Sequence, residues 1–170
     1  GAEIVWRRVL SLEVCRDHIH RDAYARRERH MCIIDSSSPW EEVRDFFHYC
    51  DNYIDAVDRA AERFAGKAIG TMQSHVTAEL QAHGITLRRG AEAALRSYDP
   101  ATKTLTLSAH LPEPTATFQM LIQLALLTQN GLLDATLDFA RFHSPAARDI
   151  AKLGLANYYA GAALMPYVPL

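Results

Sequence analysis

Apolar and polar positions follow different rhythms along this chain, and the changes of rhythm divide it into elements. Residues 3–30 set Ile4, Val5, Leu12, Val14 and Ile19 among frequent Arg and Glu, which predicts a helix. "DSSSPWEE" is then a start signal: Ser38 suits a cap, Pro39 the first helical position, and Glu41 completes a capping box. From there Val43, Phe46, Phe47, Tyr53, Ile54, Val57 and Phe64 recur at three- and four-residue spacing, predicting one long helix from Ser38 to Phe64, before Gly66. A further helix is expected over Thr71–His83, ended by Gly84. The rhythm then changes to two. "ITLRR" reads as a strand, and "AALRSYDPATKTLTLSAHL" as a hairpin turning at Asp99-Pro100. After "PEPT", an apolar helix starts at Thr115 or Thr117, is interrupted at Asn130-Gly131, and is followed by a short helix through Phe139. Ser144 and Pro145 open a last helix that Pro166 ends. The order of helices, small sheet and helices predicts a single α+β domain over residues 1–170, rich in helix.

Composition narrows the function classes. With 18 basic and 20 acidic residues the net charge is −2, which gives no electrostatic case for direct nucleic-acid binding. The one basic run, "RRERH" at 26–30, reads as a solvated helix face or a partner-binding face. Cys15, Cys32 and Cys50 are odd in number and widely spaced, so neither a disulfide framework nor a zinc knuckle is encoded, and a cytoplasmic location is expected. No apolar run is long enough to cross a bilayer, so no membrane partner is expected. The ends, "GAEIV" and "LMPYVPL", read as cut from something larger.

Reaction chemistry is sparse. There is no HExxH. His18 and His20 diverge on a helix, and His75 and His83 lie eight residues apart without an acid at ligand spacing, so no metal site is expected. No GxSxG elbow, glycine-rich phosphate loop or dinucleotide fingerprint occurs, and His48 is mis-spaced to activate Cys50 on one helix. A binding constellation remains. Phe46, Phe47, Tyr49 and Tyr53 crowd the long helix, with Arg59 and Arg63 further along it. Arg88 and Arg89 are neighbours on a strand and should point to opposite faces. Tyr158 and Tyr159 lie between Gly154 and Gly161 on the last helix. Taken singly, each aromatic reads first as core and each arginine as solvated. Together, rings for stacking and guanidinium groups for phosphate suit a ligand that carries a nucleotide.

Three ordered blocks carry a resemblance: "PWEEVRDFFHYCDNYIDAVDRAAE", "LRSYDPATKTLTLSAHLPEPTATFQMLIQLALL" and "ARDIAKLGLANYYAGAALMPY". They closely resemble the actinobacterial transcriptional regulators of short-chain fatty acid metabolism, which include mycobacterial regulators of propionate and acetate metabolism. The match covers residues 38–170 as a core, while 1–37 matches weakly and reads as an added helical segment. The resemblance implies a middle sensor domain on an ImmA/IrrE metallopeptidase-like scaffold, between an N-terminal helix-turn-helix that reads DNA and a C-terminal region with an iron–sulfur cluster. Neither flanking part lies in this chain. Relatives that are peptidases carry F-T-x-A-H-E-x-x-H. With Phe118 on that phenylalanine, Ile122 and Leu126 stand where the two histidines would be and Gln123 where the glutamate base would be. An amide is no base near neutral pH, so the resemblance implies a scaffold without metal ligands and no enzyme. The ligand it implies is coenzyme A or a short-chain acyl-CoA. Arg59, Arg88 and Arg89, with Arg63 in reserve, are the expected phosphate partners, and Phe47, Tyr53 and Tyr158 the expected pocket walls. A homodimer is expected. The rival reading is a structural dimerisation module that takes no small molecule.

Overall fold

The computed structural model describes residues 38–91 and 95–165. The helix expected over 3–30, the basic run at 26–30, Cys15 and Cys32 lie outside them. Among the described residues six helices and three strands follow in the order α1 (Pro39–Tyr49), α2 (Asp55–Ala65), α3 (Met72–Ala82), β1 (Thr86–Gly90), β2 (Arg96–Asp99), β3 (Thr104–Ser108), α4 (Glu113–Thr128), α5 (Asn130–Asp138) and α6 (Pro145–Leu164).

The single helix expected from Ser38 to Phe64 is two helices. Asp51 and Asn52 both take left-handed backbone, with φ of 51° and 56°. The Asn52 N–H donates to the Phe47 carbonyl at 2.9 Å and the Asp51 N–H to that of His48 at 3.0 Å, the paired closure of a helix C-terminus. Asp and Asn tolerate this conformation better than other residues with a side chain. The pair therefore ends α1 without the glycine or proline that helix-stop rules look for. Ile54 starts α2 with no side-chain cap, while Asp55 and Asp58 in the first turn and Arg63 in the last complement the helix dipole.

The other boundaries follow local chemistry. Thr71 Oγ1 accepts from the Ser74 N–H at the start of α3, and Ser144 Oγ from the Ala147 N–H at the start of α6. Gly84 follows α3 at φ 74°, a backbone conformation that a side chain disfavours. At the hairpin, Asp99 accepts from the Ala101 N–H at 2.9 Å and the Thr102 hydroxyl at 2.7 Å, fixing the turn between β2 and β3. Helix α4 begins at Glu113, ahead of the expected threonines, because Pro114 suits a first helical turn.

The sheet has the order β1-β3-β2: β2 and β3 form the expected antiparallel hairpin, and β1 adds parallel to the far side of β3. Leu105 and Leu107 turn one sheet face into the core. Helix α6 is the central helix, with α1, α2, α4 and α5 packed on it and α3 packed on α4. Its Ala147, Ala151, Leu155, Ala156 and Ala160 are wholly buried, since small residues let neighbours approach on several sides. The architecture is helix-rich with a small three-stranded sheet, an α+β domain as the sequence pattern predicts.

Candidate functional site

The residues expected to bear on function, and the helix of the resemblance, fall in three places, and helix α4 is the first. Ile122 and Gln123 are 1 % and 6 % exposed, and Leu126 is half-buried. Thr117 and Gln119 are buried as well. Thr117 satisfies its hydroxyl on the Glu113 carbonyl, 2.9 Å away within the helix. Among the described residues no group of three or more His, Cys, Asp or Glu is gathered to hold a metal ion. Isoleucine and leucine side chains have no lone pair to offer a metal, so these positions cannot rebuild a zincin site.

The second place is the turn between α1 and α2, against α6. Phe47 is 5 % exposed and packs edge-to-face on Phe46 at 5.1 Å, which meets Phe142 at 5.5 Å. It rests on Gly154, where a Cβ would stand only 2.9 Å from the Phe47 Cζ. Tyr158 is buried. Its hydroxyl accepts from the Ile54 N–H at 3.5 Å and donates to Asp58 Oδ1 at 3.3 Å, tying α6 to the start of α2. Burial pushes the Tyr158 phenol up to about 12, with Asp58 adding to the effect. Burial does the same to Tyr159, also to about 12. Above them, at the surface, Tyr53 donates to Asp55 Oδ1 at 3.0 Å, and Arg59 Nε pairs with the same oxygen at 3.0 Å. That hydrogen bond raises the Tyr53 phenol. Arg63 is exposed one turn further on.

The third place is the outer sheet face. The register sets Thr86, Thr104 and Asp99 in one row and Arg88, Thr106 and Ser97 in the next. With Thr102 they line an open depression of about 510 Å³. Arg89 stands on the opposite face, in the row of Leu107, and donates to the Ser108 carbonyl at 3.2 Å.

The expected site residues therefore fall into separate groups. Phe47, Tyr53, Arg59 and Tyr158 come together around the α1–α2 turn, Phe47 and Tyr158 within the core and Tyr53 and Arg59 above it. Arg63 follows on the same helix. Arg88 and Arg89 are on the sheet, and the depression that Arg88 lines includes none of the other six. Sequence reasoning passed over Thr86, Ser97, Thr104 and Thr106. Their signal was present as the alternation of Thr104 and Thr106 with Leu105 and Leu107, which a period of two assigns to opposite faces. In the sequence Gly154 reads only as a small residue, because its partner Phe47 is 107 positions away.

Comparison with known proteins places this geometry. The family model of the IrrE N-terminal-like domain (Peptidase_M78) matches residues 80–170, from the end of α3 onward. A propionyl-CoA carboxylase regulator of Cereibacter sphaeroides is 57% identical over 134 residues, covering 78% of this chain and 29% of that protein. In Mycobacterium tuberculosis, the HTH-type transcriptional regulator RamB is 38% identical over 136 residues, covering 76% of this chain and 29% of RamB. The HTH-type transcriptional regulator PrpR of the same organism is 39% identical over 137 residues, covering 76% and 28%. A solved Mycobacterium tuberculosis transcriptional regulator superposes with a TM-score of 0.72 at 37% identity, covering 77% of this chain and 42% of that one. The chain thus spans about three-tenths of the length of the curated relatives it matches. With a matched profile over more than half its length and with relatives named as transcriptional regulators, the chain belongs to the IrrE N-terminal-like domain family, in the branch formed by these regulators.

Proposed function

We propose that this domain is a non-catalytic sensor for coenzyme A or a short-chain acyl-CoA, acting inside a longer transcription regulator of propionate and short-chain fatty acid metabolism. The observation that supports the reading is helix α4: the chain keeps the family scaffold, and buried Ile122 and Gln123 stand where the resemblance puts a metal ligand and a base. A scaffold kept without its chemistry is free to serve binding. The ligand class is what the family resemblance implies, and one relative is named as a regulator of propionyl-CoA carboxylase. Coenzyme A asks for cationic donors at its phosphates, a surface for adenine and an apolar slot for the acyl end. Arg59 beside Tyr53, with Phe47 and Tyr158 beneath, offers one such combination. Arg88 over a face of threonine and serine hydroxyls offers phosphate donors on the sheet. DNA is read through a helix-turn-helix elsewhere in the whole regulator, which works as a homodimer.

Calorimetric titration of the 170-residue chain with CoA, acetyl-CoA and propionyl-CoA tests the reading. Saturable heat is expected below millimolar ligand, and no heat at millimolar concentration with all three refutes it. Arg59→Ala and Arg88→Ala then assign the phosphate site, since the correct one weakens binding by roughly tenfold or more through loss of a charge-assisted hydrogen bond. A second reading, a dimerisation module without a ligand, draws on the exposed rings of Tyr49 and Phe139, each 89% accessible. Light scattering that shows a ligand-independent dimer, together with null titrations, favours it.

A further inference from the structure

The apolar stripe does not notice the break between α1 and α2. Val43, Phe47, Cys50, Ile54, Val57, Ala61 and Phe64 follow one another at spacings of 4, 3, 4, 3, 4 and 3. That is an unbroken heptad seam, running through the residues where the chain turns. Two separate helices joined by a turn have no need of a common phase. Nor does any glycine or proline occur between Trp40 and Ala65. The turn instead relies on Asp51 and Asn52, two consecutive residues with side chains held in left-handed backbone. In a continuous helix both would return to the right-handed conformation that residues with a side chain prefer.

Helix α1 is also attached in a way that another copy can reproduce. Phe47 sits on Gly154 of α6, Phe46 on the ring of Phe142, and Glu42 Oε2 accepts from the His143 N–H at 2.8 Å. All three partners lie in one stretch, residues 142–154, and α6 is the helix against which α1 packs. A second copy presents the same stretch, so moving α1 across costs none of these contacts.

We infer that α1 is an exchangeable arm and that its partner is a second copy of this chain. In the exchanged dimer, Pro39 to Ala65 forms one helix of about 40 Å, and each α1 lies on α6 of the other copy. The segment around Cys50 and Ile54, which the turn now occupies, becomes the seam between the two long helices. The proposal is independent of the ligand reading, because it uses only the hinge and the α1–α6 contact.

The test measures association and hinge geometry separately. Light scattering on the 170-residue chain is run for the unaltered protein, for Asp51→Ala/Asn52→Ala, which favours helix, and for Asn52→Gly, which favours the turn. The alanine pair should strengthen dimerisation by about tenfold or more, because alanine makes the left-handed turn of the monomer costlier than Asp and Asn do, and Asn52→Gly should weaken it. Spin labels at positions 44 and 62, on a chain with its cysteines replaced by serine, report the hinge, with labelled chain diluted into unlabelled. The dimer fraction should show a backbone separation of about 27 Å between these positions, eighteen residues of straight helix, distinct from the monomer fraction. A dimer whose 44–62 distance equals that of the monomer is a side-by-side dimer and overturns the proposal. So does a chain that stays monomeric at millimolar concentration. If the alanine pair does not fold, the distance in the unaltered dimer and the effect of Asn52→Gly decide.

Discussion

Replacing Gly154 with alanine sets two effects of opposite sign against each other. Gly154 is the tenth residue of the twenty-residue helix α6, where alanine is favoured over glycine by about 0.8–1.0 kcal/mol. The added Cβ, however, would lie 2.9 Å from Phe47 Cζ and 3.0 Å from Phe47 Cε2. Carbon atoms settle at roughly 3.5–4.0 Å, so the ring must retreat by more than half an ångström. Its neighbours resist that shift: Phe47 is buried, Phe46 stands edge-on to it at 5.1 Å, and Phe142 backs Phe46. Overpacking of this kind costs about 1–3 kcal/mol, so the net change is a loss of about 0–2 kcal/mol. In a Phe47→Leu background the two offending ring atoms are gone and only the propensity gain survives. There, Gly154→Ala should stabilise by about 1 kcal/mol. The coupling between the two sites, about 1–3 kcal/mol, is read from a double-mutant cycle of urea unfolding curves followed by circular dichroism. On heating, each kcal/mol corresponds to roughly 2–4 °C at this size, so the same substitution should move the midpoint in opposite directions in the two backgrounds. If Gly154→Ala stabilises equally in both, Phe47 does not rest on Gly154 and the α1–α6 contact described above is wrong.

Alkaline stability should fall steeply between pH 10 and 12. Tyr158 and Tyr159 hold their protons up to about 12 in the fold, whereas an unfolded chain releases them near 10, so their stabilisation is intact below 10 and lost as pH rises towards 12. Absorbance titration at 295 nm should show late-titrating phenols, and Tyr158→Phe should remove one of them. Gln123→Glu should make stability decline with rising pH from about pH 4 upward, because a carboxyl at a 6 % exposed position keeps its proton in the fold. A flat denaturation profile from pH 4 to 8 would refute that. On the acid side, the Lys152 ammonium 2.8 Å from Asp134 holds that carboxyl below its usual range, with Arg148 assisting. The stabilisation is present above pH 4 and disappears as pH falls through the lowered value. Lys152→Met should shift the acid unfolding midpoint upward.

What the sequence determined by itself is what short-range chemistry dictates. Ser144-Pro145 opens α6, Gly84 ends α3, and Asp99-Pro100 turns the hairpin, because each signal and its effect lie within a few residues. The side-chain chemistry of Ile122, Gln123 and Leu126 is likewise readable without any fold. The sequence also fixed the helical phase from Val43 to Phe64, yet this phase led to one helix where there are two. Whether Asp51-Asn52 continues a helix or turns it depends on what α1 can bury by folding back on α6, an interaction with residues about a hundred positions away. Tertiary structure alone decided the rest. Strand β1 joins β3 in parallel across the hairpin, which of Arg88 and Arg89 takes the outer face is settled, and the sheet arginines are parted from Arg59. Gly154 acquires its meaning only when Phe47 arrives over it. Local signals act through backbone torsions and hydrogen bonds spanning one turn. The gathering of side chains into a site depends on which elements bury one another, and no short window of sequence contains that information.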